Sequence, residues 1–520
     1  MENSRAQTEK HARKQIKRGT AISYVALLVN IAFTLFYYPW MVQKIGQANY
    51  GLYNLAISLI SLFMFDFGLS TAVSRFVAKY AAENRQDLAD EFVGAVYKVY
   101  FAIDLLIAVI LIVLYFFLDR IYVRLTPEEL KVFRNLYIIV AGFILISYPM
   151  TPLNGIISAY ERFAPLKSCE LINRFLSGIL VIIALMMNAG VEVLVFAYAF
   201  TGVAVIAIKL WIVFRQTPLK VTFRTEHKDT YRNILTFSLW TLVVNLANRL
   251  ATSSVPSILA MTSGSAAVAL YSPAAAIEGY YYGIANAING LFLPMISRII
   301  SDKREEQLLP LMTKVGRYQA AILGLLFAGL FCIGDDFMIN WMGGDFKLSY
   351  YCIILLCIPS FFHYSQQIGN TTIIAKGLMK EWAAVAVTST VIGVVACYLM
   401  SSAWGAVGGC AAVCISGMLK NFGLNWIHSR KIGIDIKKFY KDCYIRMSIP
   451  ILVTCAAGRV LSSVIGDRGV LWLLIKIAVI AVLYIVILWL FALNAEEKKM
   501  VTQLIGRFLP GRRKSPEEDS

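Results

Sequence analysis

The sequence predicts an all-α polytopic membrane protein, and three observations lead there: its composition, its long apolar stretches and an internal repeat. Hydrophobic residues make up 58% of the 520-residue chain and charged residues only 16%, with a mean hydropathy of +0.65. Soluble globular proteins carry about 25% charged residues. The composition therefore favours a chain that crosses a membrane many times.

The apolar stretches predict about fourteen transmembrane helices. Each stretch has roughly 20 residues, the length that crosses a hydrocarbon core of about 30 Å. Their approximate limits are 19–40, 51–74, 92–118, 133–158, 166–188, 191–214, 233–260, 265–300, 313–335, 347–375, 381–402, 404–427, 442–466 and 469–494.

The basic residues predict the orientation, because Lys and Arg are retained on the cytoplasmic side of a membrane. With the amino terminus inside, most of the 49 Lys and Arg residues fall in the inner connections and tails. Both termini are therefore expected in the cytoplasm, and the net charge of +17 follows mostly from topology. A nucleic-acid partner is not implied. Residues 1–19 lack a small-residue cleavage site, so the first helix is expected to be retained.

An internal repeat predicts the architecture. A shift of 218 residues places Asn30 on Asn248, Gly46 on Gly264 and Ala56 on Ala274, and "VSRF" at 73–76 is echoed by "ISRI" at 296–299. A six-helix unit that starts inside also ends inside, so the copies are related by an axis along the membrane normal. We expect two pseudo-symmetric six-helix lobes plus two C-terminal helices, with the substrate site between the lobes.

The repeat also predicts the domain organisation. The expected units are a basic cytoplasmic tail at 1–18, an N-terminal lobe of six helices at 19–214, a basic cytoplasmic linker at 215–232, a C-terminal lobe of six helices at 233–427, two further helices at 442–494 and a cytoplasmic tail at 495–520.

Ionisable residues deep inside spans are the candidate functional residues, because each costs at least about 2.5 kcal/mol to insert and usually faces a partner or a wet cavity. Arg249, in "VVNLANRLATSSVPSIL" at 243–259, lies roughly 24 Å from the inner end of its span at 1.5 Å per residue. One interpretation is a buried ion pair with Glu278. The other is an anchor for an anionic group, since a guanidinium suits phosphate geometry. Both interpretations could hold one after the other, with Glu278 binding Arg249 until the substrate displaces it.

Three more charges carry two interpretations each. Asp66, in "FMFDFGLSTAVSRF", is either hydrogen-bonded between packed helices or active in the cavity or in proton coupling. Arg75 and Arg298 end equivalent spans, and they either follow the positive-inside rule or first contact a lipid phosphate at the inner leaflet.

A further charge, Lys476, lies near the end of its span. Its ammonium group is expected to reach the membrane–water interface.

Patterns for metals and nucleotides are missing from the sequence. The nine Cys form no CxxC pair, the four His are widely scattered, and there is no phosphate-binding GxxxxGK[ST] loop. We therefore expect no cofactor, no metal site, no catalytic residues and no ATP hydrolysis.

The run "FYYPWMVQKIGQANYGLYNLAISLISLFMFDFGLSTAVSRFVAKY" at 36–80 resembles the amino-terminal signature of bacterial polysaccharide flippases. These form a branch of the multidrug/oligosaccharidyl-lipid/polysaccharide exporter superfamily. The matching pieces are Pro39, "IGQANYGLY" at 45–53, "DFGL" at 66–69 and Arg75. In the second lobe, relatives often carry Asp-Arg where this chain has Asn248-Arg249. Arg249 therefore lacks the adjacent carboxylate found in relatives, which favours Glu278 as the residue that pairs with it.

The resemblance implies export of an undecaprenyl-pyrophosphate-linked repeat unit of O-antigen, capsule or exopolysaccharide across the bacterial cytoplasmic membrane by alternating access. The expected partners are this lipid-linked oligosaccharide, membrane lipids, H⁺ or Na⁺ as a coupling ion, and polysaccharide polymerase machinery. The candidate substrate contacts are Arg249, Arg75, Arg298, Asn30 and Asn248, and the candidate gating or ion-coupling residues are Glu278 and Asp66.

Two other functions compete with this one. A cation- or proton-coupled multidrug antiporter of the same superfamily would share the fold but needs acidic residues in its cleft, and the first span has none. A membrane glycosyltransferase, polymerase or ligase needs a sizeable outer loop, whereas the longest outer connection is roughly 119–134. An enzyme is therefore not expected.

Overall fold

The computed structural model describes residues 2–66, 68–223, 229–289, 292–464 and 469–508. Within these ranges, the side chains of 2–30, 32–33, 229–239, 287–289, 294, 500–501 and 504–508 lie outside the description. The described chain is almost entirely helical and contains no β-strand. The predicted all-α class is confirmed.

Seven α-helices make up the first part of the chain. They are α1 Glu2–Phe63, α2 Leu69–Ala82, α3 Gln86–Ile121, α4 Pro127–Ser147, α5 Leu153–Ala159, α6 Phe163–Met186 and α7 Val191–Gln216.

Twelve α-helices follow. They are α8 Asp229–Ser253, α9 Val255–Ser263, α10 Ser265–Asn289, α11 Leu293–Ser301, α12 Leu308–Met342, α13 Ser349–Ser365, α14 Gln367–Ala375, α15 Met379–Ile427, α16 Ile436–Tyr440, α17 Arg446–Val464, α18 Val470–Ile487 and α19 Ala495–Phe508.

Several helices are long and apolar enough to cross a membrane. Within the described residues, nine helical stretches meet this criterion by length and composition. One of them, Met379–Ile432, has 54 residues and contains a break at Trp404 and Gly405, where the backbone leaves the helical conformation. The chain is a multi-pass membrane protein, and the count of fourteen spans stays a prediction.

The repeat is visible in the backbone at two glycines. Gly46 interrupts α1 with φ 79°, and Gly264 separates α9 from α10 with φ 84°. Glycine is the residue that adopts positive φ without a steric penalty. Because the sequence repeat pairs these two positions, each lobe turns into its second span at an equivalent glycine.

Each lobe also contains two interrupted spans. In the first lobe, the chain breaks between α1 and α2, and again at a 3₁₀ turn, Tyr148–Met150, between α4 and α5. In the second lobe, α10 ends at Asn289 and α11 begins at Leu293, and α13 gives way to α14 at Gln366. The short segments pack in pairs, α2 on α5 and α11 on α14. The predicted pseudo-symmetry of two lobes is therefore confirmed, while the exact domain limits stay predictions.

We call the end of the bundle that contains Gly46 and Gly264 the distal end, and the end that contains α2, α5, α11, α14 and α19 the terminal end. The lobes touch at the distal end. A Cβ on Gly51 would lie 2.1 Å from the Ser265 carbonyl oxygen, so only glycine permits this approach of α1 to α10. The Trp341 indole also donates to the Leu35 carbonyl oxygen at 2.8 Å.

The C-terminal helices α17 and α18 pack against α12, and two ion pairs hold them there. Arg459 of α17 pairs with Asp335 at 2.7 Å, and Lys476 of α18 pairs with Asp336 at 2.7 Å. Lys476 is only 2% exposed. The expectation that its ammonium reaches the interface is wrong, because a carboxylate on the neighbouring helix satisfies it inside the bundle.

Candidate functional site

A cavity of about 980 Å³ lies between the two lobes. The first lobe contributes Ser58 and Ser61 from α1 and Phe65 and Asp66 from the break that follows it. The rest of the wall comes from the second lobe, through α8, α9, α10, α13 and α15. The cavity is therefore shared between the lobes but built mainly by the second one.

Two cationic side chains, Arg249 of α8 and Lys420 of α15, line the cavity. The Arg249 guanidinium donates to the Met64 carbonyl oxygen at 3.4 Å, a contact that crosses from the second lobe to the first. The Lys420 ammonium donates to the Asn248 side-chain oxygen at 2.7 Å. Both acceptors are neutral. Neither cation forms an ion pair with a carboxylate in the described part of the chain.

Two carboxylates, Asp66 and Glu278, line the same cavity. Asp66 accepts a hydrogen bond from the Tyr100 hydroxyl at 2.8 Å. Glu278 accepts from the Ser360 hydroxyl at 2.7 Å and from the Tyr364 hydroxyl at 3.2 Å. Each carboxylate is thus stabilised by neutral donors from its own lobe.

The ion pair that we considered between Arg249 and Glu278 is not formed. The two residues line one cavity, but Arg249 is bound to the Met64 carbonyl and Glu278 to Ser360 and Tyr364. Charge-assisted hydrogen bonds between opposite charges are roughly twice as strong as neutral ones. The guanidinium therefore keeps the capacity to bind an anion more strongly than it binds its present partner.

Neutral polar and aromatic groups complete the wall. The His363 ring nitrogen Nδ1 lies 3.2 Å from the Asn421 side-chain oxygen, and Asn421 donates to the Pro359 carbonyl oxygen at 2.9 Å. Tyr282 and Tyr364 place their ring centroids 5.5 Å apart. Amides, hydroxyls and aromatic faces of this kind can bind sugar hydroxyls and sugar rings, whereas a purely apolar wall cannot.

The other predicted site residues lie elsewhere or are not described. Arg75 of α2 and Arg298 of α11 are exposed at the terminal end, each on a short helix, and neither lines the cavity. The side chain of Asn30 lies outside the described residues. Of the seven predicted residues, the cavity brings together Asp66, Asn248, Arg249 and Glu278.

Sequence reasoning did not select Lys420 as a site residue. Its signal is a single Lys inside the apolar stretch 404–427, which has the same form as the signal of Arg249. What the sequence could not supply is its partner, because Asn248 lies 172 positions away along the chain.

Interrupted spans, two equivalent lobes and a charged cavity between them are features of a membrane transporter. Solved structures support this class at the level of fold. The chain is similar to the lipid II flippase MurJ in an inward closed conformation, with a TM-score of 0.69 and 16% identity over 94% of this chain and 99% of that one. The chain therefore shares its fold with this flippase.

Two further structures share this fold at lower similarity. An inward-facing multidrug resistance MATE family transporter of the MOP superfamily gives a TM-score of 0.63 and 16% identity over 78% of this chain and 96% of that one. A MOP superfamily transporter from Pyrococcus furiosus, described by the reverse polarity of its binding pocket, gives 0.53 and 14% over 80% and 94%.

Residues 16–300 match the polysaccharide biosynthesis protein family. The match covers more than half of the chain, and the chain belongs to this family. No curated protein matches it.

Proposed function

We propose that the chain is a flippase that moves an undecaprenyl-pyrophosphate-linked oligosaccharide across the bacterial cytoplasmic membrane for the synthesis of a surface polysaccharide. One observation carries the proposal: Arg249 and Lys420 line the cavity between the lobes, and among the described residues each binds a neutral acceptor and no carboxylate. Two cations without counter-charges favour an anionic ligand. Membership of the polysaccharide biosynthesis protein family supports a glycan as its cargo.

Asn248 strengthens this proposal, because the resemblance to polysaccharide flippases leads us to expect Asp at its position. An Asp at position 248 would pair with the Lys420 ammonium, which lies 2.7 Å from the Asn248 oxygen, and would neutralise it. Asn248 holds the ammonium in place by a hydrogen bond and leaves its charge uncompensated. The pyrophosphate then has two cations on one wall, while the amides and aromatic rings of the cavity face the first sugars.

The proposed cycle uses the two lobes as its moving parts. The terminal end faces the cytoplasm, because the sequence places most of its basic residues on the side where the chain is expected to begin and end. Arg75 and Arg298 form the first contact for the lipid phosphate there, and Arg249 and Lys420 bind the head group in the cavity, with Asn248 and Asn30 as further contacts. Rocking of the lobes opens the distal contacts around Gly51 and Ser265 and releases the head group on the other side.

The proposal also assigns roles to the two carboxylates of the cavity and to a further partner. Asp66 and Glu278 act in gating or ion coupling, with H⁺ or Na⁺ as the coupling ion, and polysaccharide polymerase machinery receives the cargo. The chain performs no covalent chemistry in this proposal.

Head-group binding by purified protein in nanodiscs tests the proposal. The variants are Arg249→Ala and Lys420→Ala, with Lys44→Ala as a matched control, because Lys44 is an exposed cation outside the cavity. The ligands are an undecaprenyl-pyrophosphate glycan and a lipophilic cation. We expect each cavity variant to lose at least about 1.5 kcal/mol of binding to the glycan lipid, more than tenfold in Kd.

Two results would contradict the proposal. The first is glycan-lipid binding in the cavity variants equal to that of Lys44→Ala. The second is wild-type binding of the lipophilic cation alone, which would favour the multidrug antiporter, for which Asp66 and Glu278 supply the acidic residues.

A further inference from the structure

One carboxylate of the cavity, that of Glu278 on α10, is bonded through only one of its two oxygens. The Ser360 and Tyr364 hydroxyls both donate to Oε1, at 2.7 and 3.2 Å. Within the described part of the chain, no group donates to Oε2. Glu278 is partly exposed and lines the cavity. A carboxylate accepts about four hydrogen bonds, so Glu278 can bind a ligand without losing its present donors.

Aromatic rings lie beside this carboxylate. The rings of Tyr364 and Tyr282 lie 5.5 Å apart, and both residues line the cavity. Tyr282 follows Glu278 by one helical turn on α10, so the two side chains share a face of that helix. The Tyr282 side chain is 47% exposed, and a Cβ on Gly279 would meet open space. A free acceptor, an exposed ring and room for a ligand therefore occur together. We call this part of the wall the acidic end of the cavity.

A run of hydrogen bonds across α13 connects the acidic end to the two cations, Arg249 and Lys420. On α13, Ser360 donates to Glu278 of α10, and the neighbouring Pro359 carbonyl accepts from Asn421 of α15 at 2.9 Å. Asn421 follows Lys420 in the chain. α13 packs against both α10 and α15, and α15 packs against α8, which carries Arg249. A ligand that lies along this wall meets two cations at one end and a carboxylate with aromatic rings at the other.

A sugar joined to a pyrophosphate matches this order of groups. Sugar hydroxyls donate hydrogen bonds, and a bond to an ionised acceptor is roughly twice as strong as a bond to a neutral one. The C–H face of a sugar ring is apolar and can pack on a tyrosine ring. A sugar that carries its own carboxylate would place a second negative charge beside Glu278, and like charges oppose binding. The acidic end therefore favours an uncharged sugar over an acidic one.

An organic cation is the competing ligand for a carboxylate beside aromatic rings. Two observations count against it. Arg249 and Lys420 line the same cavity and repel a cation, and the chain belongs to the polysaccharide biosynthesis protein family. The sugar is therefore the ligand that the whole wall favours.

We propose that Glu278, Tyr282 and Tyr364 form a subsite for an uncharged sugar, and that Glu278 is its specificity-determining residue. Oε2 accepts from a sugar hydroxyl, and the Tyr282 ring packs on the sugar. Ser360 is a positioning residue, because its hydroxyl holds Oε1 and leaves Oε2 to the ligand. The subsite rests on the proposed function, since the phosphates at the cationic end bring the sugar to it. The gating role of Glu278 then depends on the sugar that it binds.

Three lipids test the subsite with purified protein in nanodiscs. They are undecaprenyl pyrophosphate and the same lipid carrying either glucose or glucuronic acid, two sugars that differ only at carbon 6. The readout is the Kd of each sugar lipid divided by the Kd of the sugar-free lipid. This ratio cancels the general effect of a changed cavity charge on anion binding.

Glu278→Gln is the central variant, because it removes the charge and keeps the size and a group that can bond Ser360 and Tyr364. We expect the wild type to favour the glucose lipid over the glucuronic acid lipid by at least about tenfold. In Glu278→Gln, relative affinity should fall about fivefold for the glucose lipid and rise about tenfold for the glucuronic acid lipid. The wild-type preference is then lost.

Asp66→Asn is the matched control. It also removes a carboxylate from the cavity wall, but from the first lobe. We expect it to change the three affinities together and to leave their ratios as in the wild type. Equal ratios in Glu278→Gln and Asp66→Asn overturn the specificity role.

Tyr282 provides an independent test of the subsite. Tyr282→Ala should lower the relative affinity for both sugar lipids about fivefold, because the sugar loses an apolar surface. Tyr282→Phe keeps the ring and should keep the ratios of the wild type. Equal ratios in these two variants overturn the packing of a sugar on this ring, even where Glu278→Gln fails to fold.

A lipophilic cation separates the competing ligand. Loss of its binding in Glu278→Gln, with both sugar ratios unchanged, assigns the acidic end to a cation and overturns the sugar subsite. Failure of the proposed function gives a different result, because the wild type then binds none of the three lipids.

Discussion

The buried ion pair between Arg317 and Glu497 should decide whether the C-terminal helix α19 stays docked on the bundle. The guanidinium of Arg317, near the start of α12, donates to both carboxylate oxygens of Glu497, at 2.6 and 2.7 Å. Both side chains are 5% exposed. Arg317 also donates to the carbonyl oxygens of Asp442 and Ala492. One side chain thus joins four segments of the terminal end.

Glu497→Ala removes the counter-charge and leaves the guanidinium buried. Breaking a buried pair in this way costs about 3 to 5 kcal/mol. Because about 1.4 kcal/mol corresponds to a factor of ten, the lower value increases the open population of α19 by roughly 100-fold. The two remaining carbonyl contacts keep Arg317 in place, so we assign the loss to docking of α19 rather than to the whole bundle.

Hydrogen exchange of the backbone amides of Ala495–Phe508 measures this opening. We expect exchange at least about 100-fold faster in Glu497→Ala than in wild type. Glu496→Ala is the matched control, because its side chain is exposed on the same helix turn. Exchange in Glu497→Ala within about threefold of the wild type would refute the reasoning and assign docking to apolar contacts.

The remaining predictions concern pH, the packing of α18 and the distal end. Burial alone raises the pKa of Glu497, but hydrogen bonds from Arg317 and the Asn494 backbone outweigh it and lower that pKa. The ion pair therefore stabilises the docking of α19 fully above the pKa of about 4.3 that Glu has in an unfolded chain, and this stabilisation is lost as the pH falls through the lower pKa of folded Glu497. The hydrogen-exchange rate of α19, corrected for its intrinsic pH dependence, should rise below about pH 4 in wild type but not in Glu497→Gln. Lys476→Met should lower the free energy of unfolding by about 2 to 4 kcal/mol in a detergent unfolding titration, because it leaves the partly buried Asp336 carboxylate without its counter-charge. Adding Asp336→Leu should restore most of this loss, and a double variant as unstable as the single one would contradict a charge-based cause. Gly51→Ala should lengthen spin-label distances between the lobes at the distal end, since its Cβ would meet the Ser265 carbonyl, whereas Gly142→Ala adds a Cβ in open space. Equal distances in the two variants would show that the lobes are not in contact there.

The architecture could be predicted because its signals are local in sequence. Apolar length marks the spans, and positive φ at Gly46 and Gly264 requires glycine at equivalent positions of the repeat. The interruptions at Asp66 and Gln366 were harder to foresee. A span that breaks inside a bundle keeps its apolar composition, so only tertiary contacts can show where its hydrogen bonding stops.

Part of the cavity could also be predicted. Asp66, Arg249 and Glu278 were identified because an ionisable side chain inside a span needs polar surroundings, and all three line the cavity. Their partners could not be predicted. The Lys420–Asn248 contact and the Lys476–Asp336 pair join helices far apart in sequence, and no local pattern encodes which helices pack together. The roles of Arg75, Arg298 and Asn30 stay predictions.

The uneven share of the cavity wall has an evolutionary consequence. Arg249, Lys420 and Glu278 all come from the second repeat, whereas the first supplies Asp66 as its ionisable lining residue. Two copies of the first half would enclose only acidic groups, and two copies of the second would double the cations. If a duplicated gene gave rise to this chain, its two halves have since specialised, and neither half paired with a copy of itself would form the present cavity.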